Sequence, residues 1–131
     1  MFVEVKGRPI SPEEVIRKVA NKESGCVATY VGLIRGNSHG KQVASVTYTD
    51  TDGTAAQRIK DILEGALQKW KVEDVAMTHR TGKLMVGDIN LVIAVASAHR
   101  AQAFAACRYI IDQFKKGLPT AKHEEYLPTE K

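Results

Sequence analysis

Cysteine, aromatic residues and long apolar runs are all scarce in this chain of 131 residues. The two cysteines, Cys26 and Cys107, lie far apart and neither belongs to a C-x-x-C pair, which argues against a zinc knuckle or a dithiol redox site. We expect both to be buried free thiols. The longest apolar run, residues 91–96, is far too short to cross a bilayer. The N-terminus shows no signal-peptide pattern, so the sequence predicts a soluble, cytoplasmic protein that does not act at a membrane.

Several common site motifs are also missing. The chain has no P-loop, no G-x-G-x-x-G and no G-x-S-x-G elbow. We expect no metal site and no cofactor, because no H-x-x-x-H pair occurs and the histidines are widely scattered. The histidines are His39, His79, His99 and His123. Aromatic residues make up only 6% and are not interleaved with basic ones, which argues against nucleic-acid binding. The net charge of +4 favours an anionic partner, but it does not distinguish a phosphate ester from an acidic protein or a nucleic acid.

The patterns that are present predict one α+β domain spanning residues 1–131. Strands are predicted at 2–6, 26–31, 43–49, 72–79 and 89–96, and helices at 11–21, 59–70 and 97–117. This β-α-β-β-α-β-β-α order indicates a mostly antiparallel sheet with helices packed on it. The second and third strands could pair as a wide hairpin, with the loop 32–41 between them. Turn signals at 81–88 surround a short connector, and residues 118–131 are predicted to form a polar tail.

The first candidate for chemistry is the strand-to-helix turn Ser97-Ala98-His99-Arg100. A helix N-terminus offers free backbone N–H groups and partial positive charge, so anions bind there. His99 and Arg100 beside those donors would strengthen a site for phosphate or carboxylate. The alternative is that Ser97 merely caps the helix while His99 and Arg100 are solvated. The fragment alone leaves both interpretations open.

Lysines near the end of the last helix form the second candidate. Lys115 and Lys116 stand where cations ordinarily stabilise a helix C-terminus, and this pattern alone favours that role. A functional lysine would have to be held near an electrophile, where its amine could attack or transfer a proton. Lys122, which follows Pro119 in a rigid turn, is a plausible second cation. Arg35 could close over an anion from its glycine-rich loop, although taken alone it is typical of an ordinary surface arginine.

Taken together, these segments resemble the large, catalytic subunit of molybdopterin synthase over roughly residues 25–124. The strongest part is His-Arg-Thr-Gly-Lys-Leu at 79–84, Val-Gly-Asp at 86–88 and Ser-Ala-His-Arg at 97–100, followed by Ala-Phe at 103–104. This string is long, ordered and correctly spaced. Gly-Leu-Ile-Arg at 32–35 matches the family's G-x-x-R. Lys115 falls on the helix-end lysine, and residues 119–124 fit the family's P-x-x-K-x-E segment.

The resemblance implies an α+β fold of that family and a sulphur-transfer reaction that converts cyclic pyranopterin monophosphate into molybdopterin. The sulphur would arrive as a thiocarboxylate on the C-terminal Gly-Gly tail of a small ubiquitin-like subunit, and the large subunits would form a homodimer. Lys115 and Lys122 would be catalytic. Lys115 could polarise the acyl group, handle protons or form a transient acyl link, whereas Lys122 would stabilise developing negative charge. The substrate-binding residues implied are Leu33, Ile34, Arg35, His99, Arg100, Lys115, Lys122, His123 and Glu124.

The chain departs from the family pattern at several points. The family usually has a bulky apolar residue and then tryptophan where this chain has Thr120 and Ala121. The family commonly has an acidic-aromatic stretch after its second hairpin strand, where this chain has Thr-Asp-Thr-Asp after Tyr48. The family's second lysine is usually followed by a basic residue, where this chain has His123. These changes would remove aromatic wall from the pocket, so the alternative is a non-catalytic relative that binds a ubiquitin-like tail or an anionic metabolite. The retained lysines and arginines favour the enzyme.

Overall fold

The computed structural model describes residues 1–129, in which eight strands and three helices form two small sheets with helices packed on the larger one. The elements, in chain order, are β1 (Phe2–Lys6), α1 (Pro12–Val19), β2 (Cys26–Leu33), β3 (Asn37–Ser38), β4 (Lys41–Thr49), α2 (Ala55–Lys69), β5 (Asp74–Arg80), β6 (Gly82–Met85), β7 (Ile89–Ser97), α3 (Arg100–Lys116) and β8 (Ala121–Tyr126). Every strand pair except β1–β5 is antiparallel. The predicted α+β class is confirmed, with two sheets in place of one.

The first helix begins as its capping signal predicts. The Ser11 hydroxyl accepts a hydrogen bond from the Glu14 backbone N–H at 3.4 Å, and Pro12 occupies the first turn, where its missing N–H costs nothing. Val15 and Val19 lie one turn apart on the buried face. The helix ends at Val19, two residues before the predicted end at Asn21, because Ala20 has already left the helical conformation.

The larger sheet has the strand order β1-β5-β7-β2 and contains the main core. α2 and α3 cover one face of this sheet, where Met77, Ile93 and Phe114 belong to one buried apolar cluster. α1 covers the other face, where it packs on Val92 and Ala94 of β7. Both faces of β7 are therefore buried, which explains its continuous apolar run. The prediction of a central strand here is confirmed.

The smaller sheet is organised around β4, which pairs with β3, β6 and β8. The predicted hairpin between β2 and β4 is wrong, because β2 pairs along its whole length with β7 and β4 belongs to the other sheet. Residues 82–85, predicted as part of a connector, form β6. The predicted polar tail contains β8, whose side chains are almost all exposed. Its pairing with β4 uses backbone hydrogen bonds, so no apolar alternation marks it in the sequence.

Both cysteines are free thiols, as predicted, but only Cys107 is also buried as expected. Cys107 is buried on α3, and this burial raises its pKa to about 11. Cys26 is half-buried, and its Sγ lies 3.6 Å from the Ser97 carbonyl oxygen. The buried Cys107 thiol therefore stays protonated and is a poor nucleophile.

Helices in the described part of the chain are too short or too polar to serve as membrane spans.

Candidate functional site

A cavity of about 560 Å³ opens where the end of β2, the centre of β4, the start of β7, the end of α3 and β8 meet. Its lining is Tyr30, Gly32, Leu33, Ile34, Arg35, Asn37, Ser38, Val46, Tyr48, Asn90, Leu91, Phe114, Lys115, Leu118, Lys122 and Glu124. Residues from both sheets and from the segment that follows α3 are therefore brought to one concavity. A cavity of this size suits a small ligand.

Three cationic side chains line this cavity: Arg35, Lys115 and Lys122. Among residues 1–129, none of them has a carboxylate oxygen within 4 Å. Glu124 is the acidic side chain in the lining, and its Oε1 instead accepts a hydrogen bond from the Ser38 hydroxyl at 3.2 Å. Unpaired cations that converge on one cavity attract an anion.

The two lysines reach the cavity from different elements. Lys115 is in the last turn of α3, directly after the buried Phe114, which anchors that end of the helix in the core. Lys122 and Glu124 are two residues apart on β8, so both side chains lie on the strand face that lines the cavity. By the same alternation His123 projects to the opposite face, where its Nε2 lies 3.8 Å from an oxygen of Glu125. The expectation that His123 shares the cavity is therefore not met.

The Gly-Asp pair of the 86–88 motif holds the backbone that precedes Arg35. The Gly87 N–H donates to the Ile34 carbonyl at 2.9 Å, and the Ile34 N–H donates to the Asp88 carbonyl at 3.0 Å. Gly87 has a φ of 91°, a conformation that side-chain-bearing residues rarely adopt. The Asp88 carboxylate accepts from the Met85 N–H at 2.9 Å and closes this turn. Leu33 and Ile34 line the cavity, as the resemblance implies, because this clamp fixes them there.

Replacing Gly87 with alanine is expected to destabilise the fold by about 1–2 kcal/mol, because alanine is strained at positive φ. It should also weaken anion binding at the cavity, since the strained turn no longer holds the segment before Arg35. Gly7→Ala is the matched control, because a Cβ at Gly7 meets no atom within 4 Å. Urea unfolding and phosphate titration of both variants check this. Equal behaviour of the two variants would contradict the clamp.

His99 and Arg100 do not join the cavity of their own chain. Both are exposed at the N-terminus of α3, whereas Lys115 lies at the other end of the same helix. At 1.5 Å per residue the separation of Arg100 and Lys115 is about 22 Å. Ser97 is buried, and its hydroxyl accepts from the His99 N–H at 3.4 Å. One chain alone therefore does not assemble the full set of implied substrate contacts.

A buried polar network that the sequence did not predict lies beside the cavity and is centred on His79. The His79 Nδ1 lies 3.0 Å from the Asn90 carbonyl oxygen and donates to it, so Nε2 accepts from the Thr120 hydroxyl at 2.9 Å. The rings of Tyr48 and Phe114 pack edge-on against the imidazole, each with a centroid distance of 5.1 Å. Thr120, which stands out in the sequence only as a departure from the family pattern, thus ties the segment before Lys122 to the core.

Burial lowers the pKa of the His79 imidazole below its ordinary value of 6.5. The unfolded chain therefore binds this proton more readily, and the histidine's contribution to stability is complete above pH 6.5. It is lost as the pH falls from 6.5 through the lower folded-state pKa, by at most about 1.4 kcal/mol per pH unit. We expect the imidazole signals of His79 in NMR spectra to titrate below pH 6.5. Titration of His79 above pH 6.5 would contradict this burial.

The small residue at position 121 does not open the cavity of this chain. Ala121 precedes Lys122 on β8 and is on the strand face that points away from the cavity, so an aromatic side chain there would not line it. The expected loss of aromatic wall is therefore not seen at this position. Thr120 is 5% exposed and fills its site with a hydrogen-bonded hydroxyl.

Comparison with known proteins gives a consistent result. The profile of the family described as MoaE protein matches residues 5–117. The molybdopterin synthase catalytic subunit of Thermoplasma volcanium is 35% identical over 123 residues, which cover 94% of this chain and 90% of the relative. The motifs at 79–88 and 97–100 lie within the matched family region.

Solved structures share the fold. A molybdopterin synthase from Staphylococcus aureus superposes with a TM-score of 0.89 at 28% identity and covers 96% of this chain and 92% of its own. A chain from the complex of subunits 1 and 2 of the molybdopterin-converting factor of Helicobacter pylori superposes with a TM-score of 0.74 at 15% identity. That alignment covers 93% of this chain and 83% of the other, and at this identity it carries information about the fold alone.

Proposed function

The chain belongs to the MoaE protein family, and we propose that it is the catalytic subunit of a molybdopterin synthase, an enzyme of molybdenum cofactor biosynthesis. In this role it transfers sulphur from the C-terminal thiocarboxylate of a small ubiquitin-like subunit to cyclic pyranopterin monophosphate. The observation that carries the proposal is the convergence of Arg35, Lys115 and Lys122 on one cavity. The same cations on separate faces would have left no place for an anionic substrate.

The composition of the cavity fits a phosphorylated heterocycle. Arg35 and Lys122 supply charge-assisted hydrogen bonds for a phosphate, which an unpaired guanidinium and an unpaired ammonium bind well. The rest of the wall is largely apolar or aromatic and includes Tyr30, Leu91 and Phe114. Apolar and aromatic walls stabilise a flat ring system by burial.

The proposed sulphur donor is a flexible peptide end that enters the same cavity. The Thermoplasma volcanium relative is described as a catalytic subunit and so is one part of a larger enzyme, which supports a second subunit as the partner of this chain. Once the thiocarboxylate sulphur has bonded to the substrate, the acyl–sulphur bond breaks and the sulphur stays on the substrate as a thiolate. A protonated Lys115 polarises the acyl carbon for attack by water, whereas a neutral Lys115 attacks that carbon itself, loses its proton to water and forms a transient acyl link that water later hydrolyses. Lys122 stabilises the negative charge that develops as the acyl–sulphur bond breaks. Both lysines lie at the surface, where a peptide tail reaches them.

We further propose that a second copy of the chain completes the site. His99 and Arg100 lie about 22 Å from Lys115 along α3, too far to contact the same small ligand. Phe104, one helical turn beyond Arg100, is 65% exposed. A large aromatic side chain this exposed, on the face that carries Arg100, is typical of a protein interface. A homodimer that buries Phe104 would carry His99 and Arg100 toward the partner's cavity.

A single-turnover assay tests the function. The purified chain is mixed with a thiocarboxylated small subunit and cyclic pyranopterin monophosphate, and molybdopterin is quantified as a fluorescent oxidised derivative. We expect product in proportion to the thiocarboxylate supplied. Tight binding of the small subunit with no product would instead indicate a non-catalytic binding module.

A further inference from the structure

We propose that Tyr48 and Asn90 form a neutral donor–acceptor pair that hydrogen-bonds the heterocycle of the bound ligand. The inference rests on the proposed function and adds two specificity-determining residues to it. Both side chains line the cavity, and neither belongs to the set that the family resemblance implies. They come from different sheets, Tyr48 from β4 and Asn90 from β7, so the pair lies in the seam between the sheets.

The hydrogen bonding of this pair is incomplete within the protein. The Asn90 Nδ2 donates to the Tyr48 hydroxyl oxygen at 3.1 Å, and the hydroxyl proton has no acceptor among residues 1–129. The Asn90 Oδ1 is buried and has no donor in the same part of the chain. A buried polar atom without a partner costs about 1–3 kcal/mol, so such atoms beside a cavity indicate a ligand that satisfies them.

The surroundings hold both groups in place and neutral. The Tyr48 ring is 5% exposed and packs edge-on against His79, whose Nδ1 is bonded to the Asn90 backbone. Burial raises the pKa of the Tyr48 hydroxyl, so it keeps its proton and remains a donor at neutral pH. Gly32 leaves room for the amide, because a Cβ there would lie 2.6 Å from the Asn90 Oδ1.

The chemistry of the site assigns the pair to the ring and not to the phosphate. Tyr48 belongs to an apolar cluster with Ile34, Val46 and Leu84, where an unpaired phosphate charge would be costly to bury. A pterin edge presents ring nitrogens and a carbonyl oxygen as acceptors next to N–H donors. One hydroxyl donor beside one amide acceptor matches such an edge without introducing charge.

The test compares two ligands on the same variants. Cyclic pyranopterin monophosphate and inorganic phosphate are titrated calorimetrically against wild type, Tyr48→Phe and Asn90→Leu. We expect either substitution to weaken binding of the pterin by about 10-fold, the value of one lost hydrogen bond, and to leave phosphate binding unchanged. Tyr126→Phe, on a half-exposed tyrosine outside the cavity, is the matched control and should change neither affinity.

Two results would overturn the inference alone, and both are distinguishable from failure of the proposed function. Wild-type affinity of Tyr48→Phe for the pterin removes the donor role, and an equal loss for pterin and phosphate reduces the pair to a structural role. If Tyr48→Phe does not fold, the inference is tested on Asn90→Leu alone, by comparing its affinities for the pterin and for phosphate with those of wild type. If wild type binds phosphate but no pterin, the proposed function fails and this inference fails with it. A variant that loses only pterin affinity supports both.

Discussion

Replacing Lys115 with alanine is expected to lower the rate of molybdopterin formation by at least about 100-fold, the usual contribution of a positioned acid, base or nucleophile. The fold should be unaffected, because Lys115 is exposed in the last turn of α3. Lys116→Ala is the matched control. It removes a neighbouring lysine from the same turn that does not line the cavity, and with it the same favourable interaction with the helix C-terminus. Single-turnover rates of the two variants, with the thiocarboxylated partner in excess, give the comparison.

Full turnover by Lys115→Ala would remove this residue from the mechanism. The conservative variant Lys115→Arg separates the two chemical roles. Arginine keeps the positive charge but is not a nucleophile at neutral pH. Substantial activity of Lys115→Arg therefore assigns an electrostatic role, whereas complete loss, with partner binding intact, assigns an acyl link through the lysine amine.

Replacing Arg100 with alanine is also expected to lower the rate of molybdopterin formation, by about 10- to 100-fold, because a charge-assisted hydrogen bond to phosphate contributes about 1.5–3 kcal/mol. The more informative experiment combines it with Lys115→Ala in one dimer, by co-expression with two different affinity tags and tandem purification. If Arg100 acts in the partner's cavity, one of the two sites in each mixed dimer contains both residues. The mixed dimer should then recover about half of the wild-type activity, as a two-fold symmetric assembly requires.

Complementation of this kind fails if the two residues serve the same site in one chain or if Arg100 is a solvated surface residue. A mixed dimer no more active than its two parents would contradict the shared site, and so would wild-type activity of Arg100→Ala alone.

Phe104→Ser tests the proposed dimer interface directly. Loss of the exposed aromatic surface should shift the protein toward monomer in sedimentation and lower activity with it.

The parts of the fold that could be predicted are those in which burial leaves a pattern. β7 is buried on both faces and forms a continuous apolar run, and α1 carries a cap and a buried stripe. β8 carries no such pattern, because only Glu124 among its six residues is even half-buried. The pairing of β2 with β7 in place of β4 is decided by tertiary packing, which local sequence does not encode.

The site was predictable only in part, for related reasons. Arg35, Lys115 and Lys122 lie far apart in sequence, and nothing in their spacing indicates a common cavity; the family resemblance supplied that expectation. The period of two along β8 could have separated His123 from Lys122, had the strand been predicted. The hydrogen bond between His79 and Thr120 left no signal in the sequence. Thr120 stands where the family usually has an apolar residue, and the role of its hydroxyl becomes evident only when its partner His79 is located in the structure.

The most direct measurement is a crystal structure of this chain with cyclic pyranopterin monophosphate bound. The account predicts the ligand in the cavity between β4, β8 and the end of α3, with its phosphate within hydrogen-bond distance of cationic side chains that include Arg35 or Lys122 and its ring beside Tyr48. Lys115 should face the open side, from which a peptide end enters. A ligand bound at another surface, or a cavity left empty at saturating concentration, would contradict the account.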